Sequence, residues 1–258
     1  MNKNKILKLS KRKILRATDS HSAPRVIVMQ EIDSTNSFAK RLFLKNKIDK
    51  STIILAEKQT GGRGRCGRSF YSPKSTGLYM TVALKPQNGN TPNLSLTTIC
   101  AVAAAEAIEK LSDTRVQIKW VNDIYVDGKK AGGILCESTP TNSGVGVILG
   151  IGINTATDVF PEFENNSPTS VGNIDRNTLC AEIYMGIMRY IGGESHIEKY
   201  KSRSYLDGKR ITVHLDNSYF DATVIGIDDE CHLVVRPDGG DKEMVLSSGE
   251  VVSCIVQK

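Results

Sequence analysis

The segment VQIKWVNDIYVDGKKAGGILCE, residues 116–137, decides how the fold is interpreted. Within it, Val116–Trp120, Ile124–Val126 and Lys130–Glu137 are apolar runs typical of β-strands, and Asp127-Gly128 separates the last two. Asp-Gly between two such runs is a strong hairpin signal, because glycine adopts a positive φ without steric cost. The segment therefore predicts neighbouring strands joined by a tight turn.

Strands and helices alternate on both sides of this segment. Further β-type runs lie at Val26–Gln30, Thr52–Glu57, Gly77–Leu84 and Val145–Ile153. Helices are predicted at Thr35–Leu44, Leu94–Leu111 and about 177–191, with a possible resumption up to Ser202 after Gly192-Gly193. Ser34 is typical of a helix N-cap, because its hydroxyl accepts a hydrogen bond from a free backbone N–H. This order predicts an α+β fold, a mixed and mostly antiparallel sheet with helices on one side.

The last fifty residues have a different pattern. Five short β-type runs follow one another between Asp, Asn, Gly and Pro turns; they are Ile211–Leu215, Tyr219–Ile227, His232–Arg236, Glu243–Leu246 and Val251–Val256. Strands at this spacing predict a small β-barrel. We therefore expect a basic N-terminal arm (1–25), a main domain (26–204) and a small barrel domain (205–258).

The net charge of +6 belongs to the N-terminal arm. Residues 1–25 carry eight Lys and Arg against Asp19 alone, which gives +7 and leaves −1 for the rest of the chain. Such an arm is suited to nucleic acid or to an acidic partner. The alternative, which we favour from the sequence, is a solvated and frayed helix.

Composition excludes several classes of protein. No apolar run approaches the ~20 residues that span a bilayer, and the N-terminus lacks the apolar core of a secretory signal. The six cysteines are scattered without a close pair, which favours a reducing cytoplasm. The four histidines show no metal-ligand spacing. P-loop, H-E-x-x-H and G-x-S-x-G motifs are absent, so P-loop ATPases, metalloproteases and α/β-hydrolases are excluded.

The richest chemical signal is the Gly/Arg loop, GGRGRCGR, residues 61–68, which follows a predicted strand. Its glycines let the backbone approach a ligand closely, and its three arginines present forked donors to phosphate or carboxylate oxygens. Gly62, Gly64 and Gly67 also match the dinucleotide fingerprint G-x-G-x-x-G. That interpretation fails, because the fingerprint must open a helix and the loop is followed by FYSP. An RNA-binding Gly/Arg segment and a plain solvated turn stay open for the loop taken alone.

Two further groups carry polar residues next to strands. In KWVND (119–123), Asp123 lies at a strand junction, where a carboxylate holds Mg²⁺ or accepts a proton. Lys130 follows the hairpin turn and precedes small residues that leave room for a ligand. In GIGIN (150–154), glycines suggest close approach and Asn154 offers a donor and an acceptor. Each residue in isolation also fits an ordinary surface or turn position.

Taken together and in this order, the motifs resemble the biotin–protein ligases. The resemblance runs from about Val26 to the end; its motifs are EIDSTN (31–36), GRGRCGR (62–68), SPKSTGLYMTVAL (72–84), KWVND, KKAGGILCE (129–137), GIGIN and DRNTL (175–179). It implies a catalytic domain like that of class II aminoacyl-tRNA synthetases, followed by a barrel like that of Src-homology-3 domains. It also implies ATP and Mg²⁺ as cofactors and biotin as the substrate.

The resemblance also assigns site residues. The residues expected to bind biotin are Ser34, Thr35, Asn36, Gln59, Arg63, Gly64, Arg65, Lys130 and Gly132. Those expected to bind ATP are Arg65, Arg68, Phe70, Lys119, Asn122, Asp123 and Asn154. Arg65, Lys130 and Asp123 are expected to be catalytic, with Asp123 also the candidate Mg²⁺ ligand. Three residues depart from the family pattern: Val121 replaces proline, Cys66 replaces arginine, and Phe70 replaces tryptophan.

The implied reaction forms biotinyl-AMP and transfers biotin to a lysine of a carboxylase's carrier domain. Only about 25 residues precede the first predicted strand, so we expect no winged-helix DNA-binding domain and no repressor role. A lipoate–protein ligase is the nearest alternative, and a biotin-sensing, nucleic-acid-binding regulator is the alternative of another class. The sequence leaves open whether the chain forms a homodimer.

Overall fold

The computed structural model describes residues 7–18, 23–87, 94–161 and 168–254. Its larger sheet has seven strands in the order β1-β2-β3-β7-β6-β5-β4. These strands are β1 (Arg25–Met29), β2 (Thr52–Ala56), β3 (Gly77–Gln87), β4 (Gln117–Lys119), β5 (Asp123–Val126), β6 (Lys129–Thr141) and β7 (Gly144–Asn154). Only β1 and β2 pair in parallel, so the predicted mixed, mostly antiparallel sheet is confirmed.

The hairpin predicted at Asp127-Gly128 joins β5 to β6. Asp127 has a φ of 49° and Gly128 a φ of 72°. Two successive positive φ values give the tight turn whose twist matches that of paired strands. Because the turn is short, Lys130 of β6 lies opposite Tyr125 of β5, which is two residues along the strand from Asp123.

Helices cover both faces of the large sheet. They are α1 (Lys11–Ala17), α2 (Thr35–Leu44), α3 (Leu94–Leu111), α4 (Arg176–Ile191) and α5 (Ile197–Lys201). Ile54 of β2 packs with Ala39 and Phe43 of α2, whereas its neighbours Ile53 and Leu55 belong to the core that contains α3 and α4. The expectation of helices on one side was therefore wrong. All five residues of β2 are buried, as in a strand covered on both faces.

The second sheet has five antiparallel strands in the order β11-β10-β9-β8-β12. They are β8 (Arg210–Leu215), β9 (Ser218–Ile227), β10 (Leu233–Pro237), β11 (Met244–Leu246) and β12 (Glu250–Cys254). All five strands lie where the sequence predicts them, except that residues 255–256 fall outside the described ranges. The closure of this small sheet into a barrel, and the boundaries at residues 25 and 204, stay predictions.

The N-terminal segment packs onto the large domain. The backbone N–H of Leu9 donates to Glu57 Oε1 at 2.8 Å, and that of Ser10 donates to Asn177 Oδ1 at 2.7 Å. Ile14 of α1 is fully buried, while the cationic side chains of this segment face outward. Within residues 7–18 the predicted helix is present and its cations are exposed, but it is not frayed, because Ile14 and the backbone of Leu9 and Ser10 contact the body of the protein.

A buried ion pair holds this region together. Arg176 Nη1 lies 2.9 Å from Glu57 Oε2, and both side chains are 2% exposed. Arg176 also donates to the carbonyl oxygens of Gly77 and Leu7, at 3.1 and 2.9 Å. Burying two charges is tolerated only when they are paired and hydrogen-bonded. The pair thus joins the end of β2, the start of β3, α4 and the N-terminal segment.

Candidate functional site

A cavity of about 340 Å³ opens between the large sheet, α2, the Gly/Arg loop and β12 of the small sheet. This volume is in the range of small-molecule sites. Fourteen of the fifteen predicted site residues line the cavity: Ser34, Thr35, Asn36, Gln59, Arg63, Gly64, Arg65, Arg68, Phe70, Lys119, Asn122, Asp123, Lys130 and Asn154. They come from six separate segments of the chain, and the fold brings them to one place.

Gly132 is the predicted residue that does not line the cavity. A Cβ atom on Gly132 would come within 2.6 Å of the carbonyl oxygen of Gly152 and 2.7 Å of Ile153 Cδ1. Gly132 therefore allows β6 and β7 to approach each other. Its neighbour Gly133 faces the cavity, where a Cβ would be 3.5 Å from Asp123 Oδ1 and 3.7 Å from Lys130 Nζ.

One end of the cavity has a polar wall built from α2, β3 and the segment before the Gly/Arg loop. Ser34 caps α2, with its Oγ accepting from the N–H of Ser37 at 3.4 Å, as predicted. Gln59 Oε1 accepts from the N–H of Thr35 at 2.9 Å, and Gln59 Nε2 donates to Ser72 Oγ at 2.9 Å. Asn36 Oδ1 accepts from Thr81 Oγ1 at 2.6 Å. These bonds fix which polar atoms face a ligand.

The Gly/Arg loop folds back on itself through its backbone. Phe70 N donates to the carbonyl of Gly62 at 2.9 Å, and Gly64 N donates to that of Arg68 at 2.7 Å. A Cβ on Gly62 would lie 2.4 Å from the Phe70 carbonyl oxygen, so this approach requires glycine. Cys66 turns the loop with a φ of 53°, a conformation uncommon for a residue other than glycine.

The loop also contacts the opposite wall of the cavity. Arg65 donates to Asn122 Oδ1 and to the carbonyl oxygen of Gly249, both at 3.1 Å. Arg68 forms an ion pair with Glu250 of β12, which raises the pKa of the Arg68 guanidinium. The Phe70 ring covers Gly152, where a Cβ would lie 2.7 Å from Phe70 Cε1. The small sheet is therefore part of the cavity wall.

The floor of the cavity carries two lysines and one carboxylate. Lys130 Nζ lies 2.6 Å from Asp123 Oδ1. Lys119 is 9% exposed, and burial lowers the pKa of its ammonium from the ordinary value of 10.5. The Lys119 ammonium also lies 6.0 Å from the centre of the Tyr125 ring, within the range of a cation–π contact. Asn154 donates to the carbonyl oxygen of Thr169 at 3.1 Å.

The cavity has a net positive charge. Among its lining residues, five cations (Arg63, Arg65, Arg68, Lys119, Lys130) face two carboxylates (Asp123, Glu250). Phe70, Trp120, Ile134 and Ile151 are among the residues that add apolar surface. A cationic cavity with apolar walls is suited to a polyanion together with a small, largely apolar molecule.

Sequence reasoning missed two parts of this site. Gly249 and Glu250 gave no signal, because a carbonyl oxygen and one carboxylate at a strand end are common on any surface. Glu137 stands at the end of the quoted motif KKAGGILCE, yet it was assigned no role. It accepts hydrogen bonds from Asn36 and Lys40 and forms an ion pair with Arg63 of the loop.

Comparisons with known proteins agree with this geometry. Residues 28–154 match the family model described as the biotin/lipoate A/B protein ligase family. The bifunctional ligase/repressor BirA of Bacillus spizizenii is 30% identical over 241 residues, which cover 87% of this chain and 74% of that protein. The solved biotin protein ligase of Aquifex aeolicus, in complex with biotin and ATP, has a TM-score of 0.71 at 24% identity, covering 88% of this chain and 97% of that one. The Leishmania major biotin protein ligase bound to biotinyl-5-AMP has a TM-score of 0.60 at 26% identity, covering 87% and 99%.

Proposed function

The chain belongs to the biotin/lipoate A/B protein ligase family, and we propose that it activates biotin with ATP and transfers it to a lysine of a carrier domain. In the first half-reaction the biotin carboxylate attacks the α-phosphorus of ATP, giving biotinyl-AMP and pyrophosphate. In the second, the lysine amine attacks the mixed anhydride, giving an amide and AMP. The observation that carries this proposal is one cavity lined by three arginines and two lysines together with apolar side chains.

The first half-reaction forces a carboxylate towards a polyanion. Two unit charges about 4 Å apart repel by ~1 kcal/mol in water and by ~4 kcal/mol at an effective dielectric constant of about 20. Arg65 and Lys130 reduce this repulsion and stabilise the charge that develops at phosphorus. A carboxylate needs no base to attack, so positioning provides most of the remaining acceleration.

Biotin is assigned to the end of the cavity walled by α2. Ser34, Thr35, Asn36 and Gln59 offer fixed donors and acceptors there, which suits a compact polar head group. The carboxylate of biotin would then reach Lys130. ATP is assigned to the end where Arg68, Lys119 and Asn122 lie, with Phe70 against the adenine ring.

The second half-reaction needs a neutral amine. Asp123 is the carboxylate of the cavity floor, and we assign to it the role of accepting or orienting the proton of the incoming lysine. Asp123 is paired with Lys130 in this structure. When Lys130 engages the acyl group of the adenylate, the carboxylate of Asp123 becomes available for the amine.

Mg²⁺ is proposed as the cation that accompanies ATP. No group of three His, Cys, Asp or Glu side chains that could hold a metal occurs in the described part of the chain. The donors present fit a Mg²⁺ ion held mainly by phosphate oxygens, with Asp123 as a protein ligand. When bound, such an ion neutralises phosphate charge.

The state of the cysteines fits a reducing compartment. All six cysteines are free, and we propose the cytoplasm as the site of action. No helix in the described ranges is long and apolar enough to cross a membrane.

The deciding experiment is transfer of labelled biotin to a purified biotin carboxyl carrier domain with ATP and Mg²⁺. We expect label on the carrier only when ATP is present, and none on a carrier whose acceptor lysine is replaced by arginine. Because the matching family model covers both biotin and lipoate ligases, lipoate is run beside biotin. ATP–pyrophosphate exchange that depends on lipoate but not on biotin would assign the alternative substrate.

A further inference from the structure

The carboxylate of Glu137, on β6, accepts hydrogen bonds from two other segments of the chain, α2 and the Gly/Arg loop. Its Oε1 lies 2.7 Å from Lys40 Nζ and 3.1 Å from Arg63 Nη2. Its Oε2 accepts from Asn36 Nδ2 at 2.9 Å. Glu137 does not line the cavity, whereas Asn36 and Arg63 do. Its influence on a ligand is therefore exerted through these two residues.

The contact with Asn36 fixes the direction of an amide. An ionised carboxylate only accepts hydrogen bonds, so it requires the NH₂ group of Asn36 on its own side. Asn36 Nδ2 also donates to the carbonyl oxygen of Leu135 at 3.1 Å. The oxygen of the amide is thereby turned to Thr81 Oγ1, 2.6 Å away. A Cβ on Gly150 would come within 2.4 Å of this oxygen, so the amide fits tightly against β7.

The contact with Arg63 joins the Gly/Arg loop to the large sheet. Arg63 is 45% exposed and Glu137 is 14% exposed, so the pair lies at the rim of the cavity and not in bulk solvent. On the other side, Arg65 and Arg68 join the loop to Gly249 and Glu250. The loop is therefore held at both walls; at the α2 wall Glu137 supplies the side-chain contact, beside the backbone hydrogen bond from Gly61 N to the Asp33 carbonyl oxygen at 2.8 Å.

Glu137 stays charged under ordinary conditions. Burial by itself would raise its pKa, but hydrogen bonds from Lys40 and Asn36 outweigh burial and leave the pKa below the usual value. A permanently ionised acceptor keeps both contacts in place.

We propose that Glu137 is a positioning residue of the ligation reaction, which fixes the amide of Asn36 in the wall assigned to biotin and holds the Gly/Arg loop closed over the adenylate. This inference rests on the proposed biotin–ATP reaction. Shielding matters because a mixed anhydride is lost to water when its site opens. Glu137 thus affects how tightly biotin is held and how much adenylate escapes, whereas the bond-making step belongs to the cavity residues.

The test uses the full chain with Glu137→Gln, a variant that keeps the shape and removes the charge. Losing hydrogen bonds to a charged group should raise the KM for biotin roughly tenfold in ATP–pyrophosphate exchange, with kcat changed by less than about threefold. Released biotinyl-AMP, counted per biotin transferred to the carrier, should rise. Trypsin should cut the loop after Arg63, Arg65 or Arg68 faster than in the wild type.

Lys40→Met is the matched control, because Lys40 shares the carboxylate but does not line the cavity. We expect this control to keep the biotin KM and the trypsin rate within about twofold of the wild type, because Asn36 and Arg63 still donate to Glu137 when Lys40 is replaced. If Lys40→Met and Glu137→Gln behave alike, or if Glu137→Gln leaves both quantities unchanged, the positioning role is overturned.

The double variant Lys40→Met/Glu137→Gln covers the case in which Glu137→Gln lowers the Tm. It restores the charge balance without restoring the charged acceptor, so a normal biotin KM would show that charge balance alone is needed and would refute the proposal. A wild-type chain without biotin-dependent exchange would refute the proposed function instead. The trypsin comparison then still tests whether Glu137 holds the loop.

Discussion

Lys130 Nζ lies 2.6 Å from Asp123 Oδ1, so the cation assigned to the biotin carboxylate has a carboxylate partner of the protein. The two side chains are 32% and 21% exposed. Their contact places a negative group of the protein where the ligand's own negative group is expected. On the proposed assignment, substrate binding at this point would exchange one carboxylate for another.

Replacing Lys130 tests this exchange. Lys130→Ala removes the positive charge that faces the biotin carboxylate and leaves Asp123 without its partner. We expect biotin-dependent ATP–pyrophosphate exchange to fall by more than ~100-fold. Lys129→Ala, on the exposed neighbour in the same hairpin, should retain activity. Near wild-type exchange in Lys130→Ala would contradict the assignment.

Arg65 is the second residue to which we assign a role in the first half-reaction. Arg65→Ala removes the charge proposed to lie near phosphorus and both contacts across the cavity. We expect a loss of more than ~100-fold in the same exchange assay. The control Lys58→Ala affects a cation outside the cavity that pairs with Glu31. An equal loss in both variants would mean that general charge, and not the position of Arg65, matters.

Asp123 should separate the two half-reactions. Asp123→Asn keeps the shape and removes the proton acceptor, so we expect transfer to the carrier lysine to slow by roughly 100-fold, with adenylation less affected. Single-turnover transfer from preformed biotinyl-AMP measures the effect. Asp127→Asn, in the exposed turn of the same hairpin, serves as the control. If transfer and adenylation fall equally, Asp123 acts through Lys130 and not as a base.

The pH dependence of ATP binding should report Lys119. Burial lowers the pKa of its ammonium, and only the charged form attracts phosphate. The KM for ATP should therefore rise as the pH increases, and this rise should begin at a lower pH than it would for a lysine with an ordinary pKa. In Lys119→Arg the guanidinium stays charged, which should move this rise to higher pH. The same alkaline profile in wild type and Lys119→Arg would remove Lys119 from the explanation.

Breaking the Glu57–Arg176 pair should lower the free energy of unfolding more than breaking an exposed ion pair does. Glu57→Gln or Arg176→Met leaves one buried charge without its partner and should lower the free energy of unfolding by about 3–5 kcal/mol. The double variant should lose less than the sum of the two singles. Urea unfolding followed by circular dichroism measures these differences. Arg236→Ala, which affects an exposed pair with Glu243, should cost less than about 1 kcal/mol.

Local patterns in the sequence predict most of the elements. Ser34 and the following helix, the Asp127-Gly128 hairpin and the strands of the small sheet depend on residues close to one another in the chain. Their signals are capping, turn conformation and apolar spacing. Each of these interactions joins residues that are close in the chain, so a short stretch of sequence is enough to predict it.

What the sequence did not reveal depends on distant partners. Glu57 and Arg176 are 119 residues apart, and each looks like an ordinary surface charge until the fold pairs them. The docking of residues 7–18 depends on the same pair. The continuous apolar run of β2 does not say which face a helix covers, and so the placement of α2 opposite α3 and α4 was missed. Motifs predicted residues that the structure brings to one cavity, whereas the contacts of Glu137, Gly249 and Glu250 with them required the structure.

The small sheet closes the cavity through two contacts of different kinds. Arg65 binds a backbone carbonyl at Gly249, which every residue type provides, whereas Arg68 binds the side chain of Glu250. A chimaera that carries a relative's small sheet would keep the first contact whatever its sequence. It would keep the second only if the graft brings a carboxylate to the position of Glu250. Recombination between members of the family is thus tolerant at one of these neighbouring positions and selective at the other.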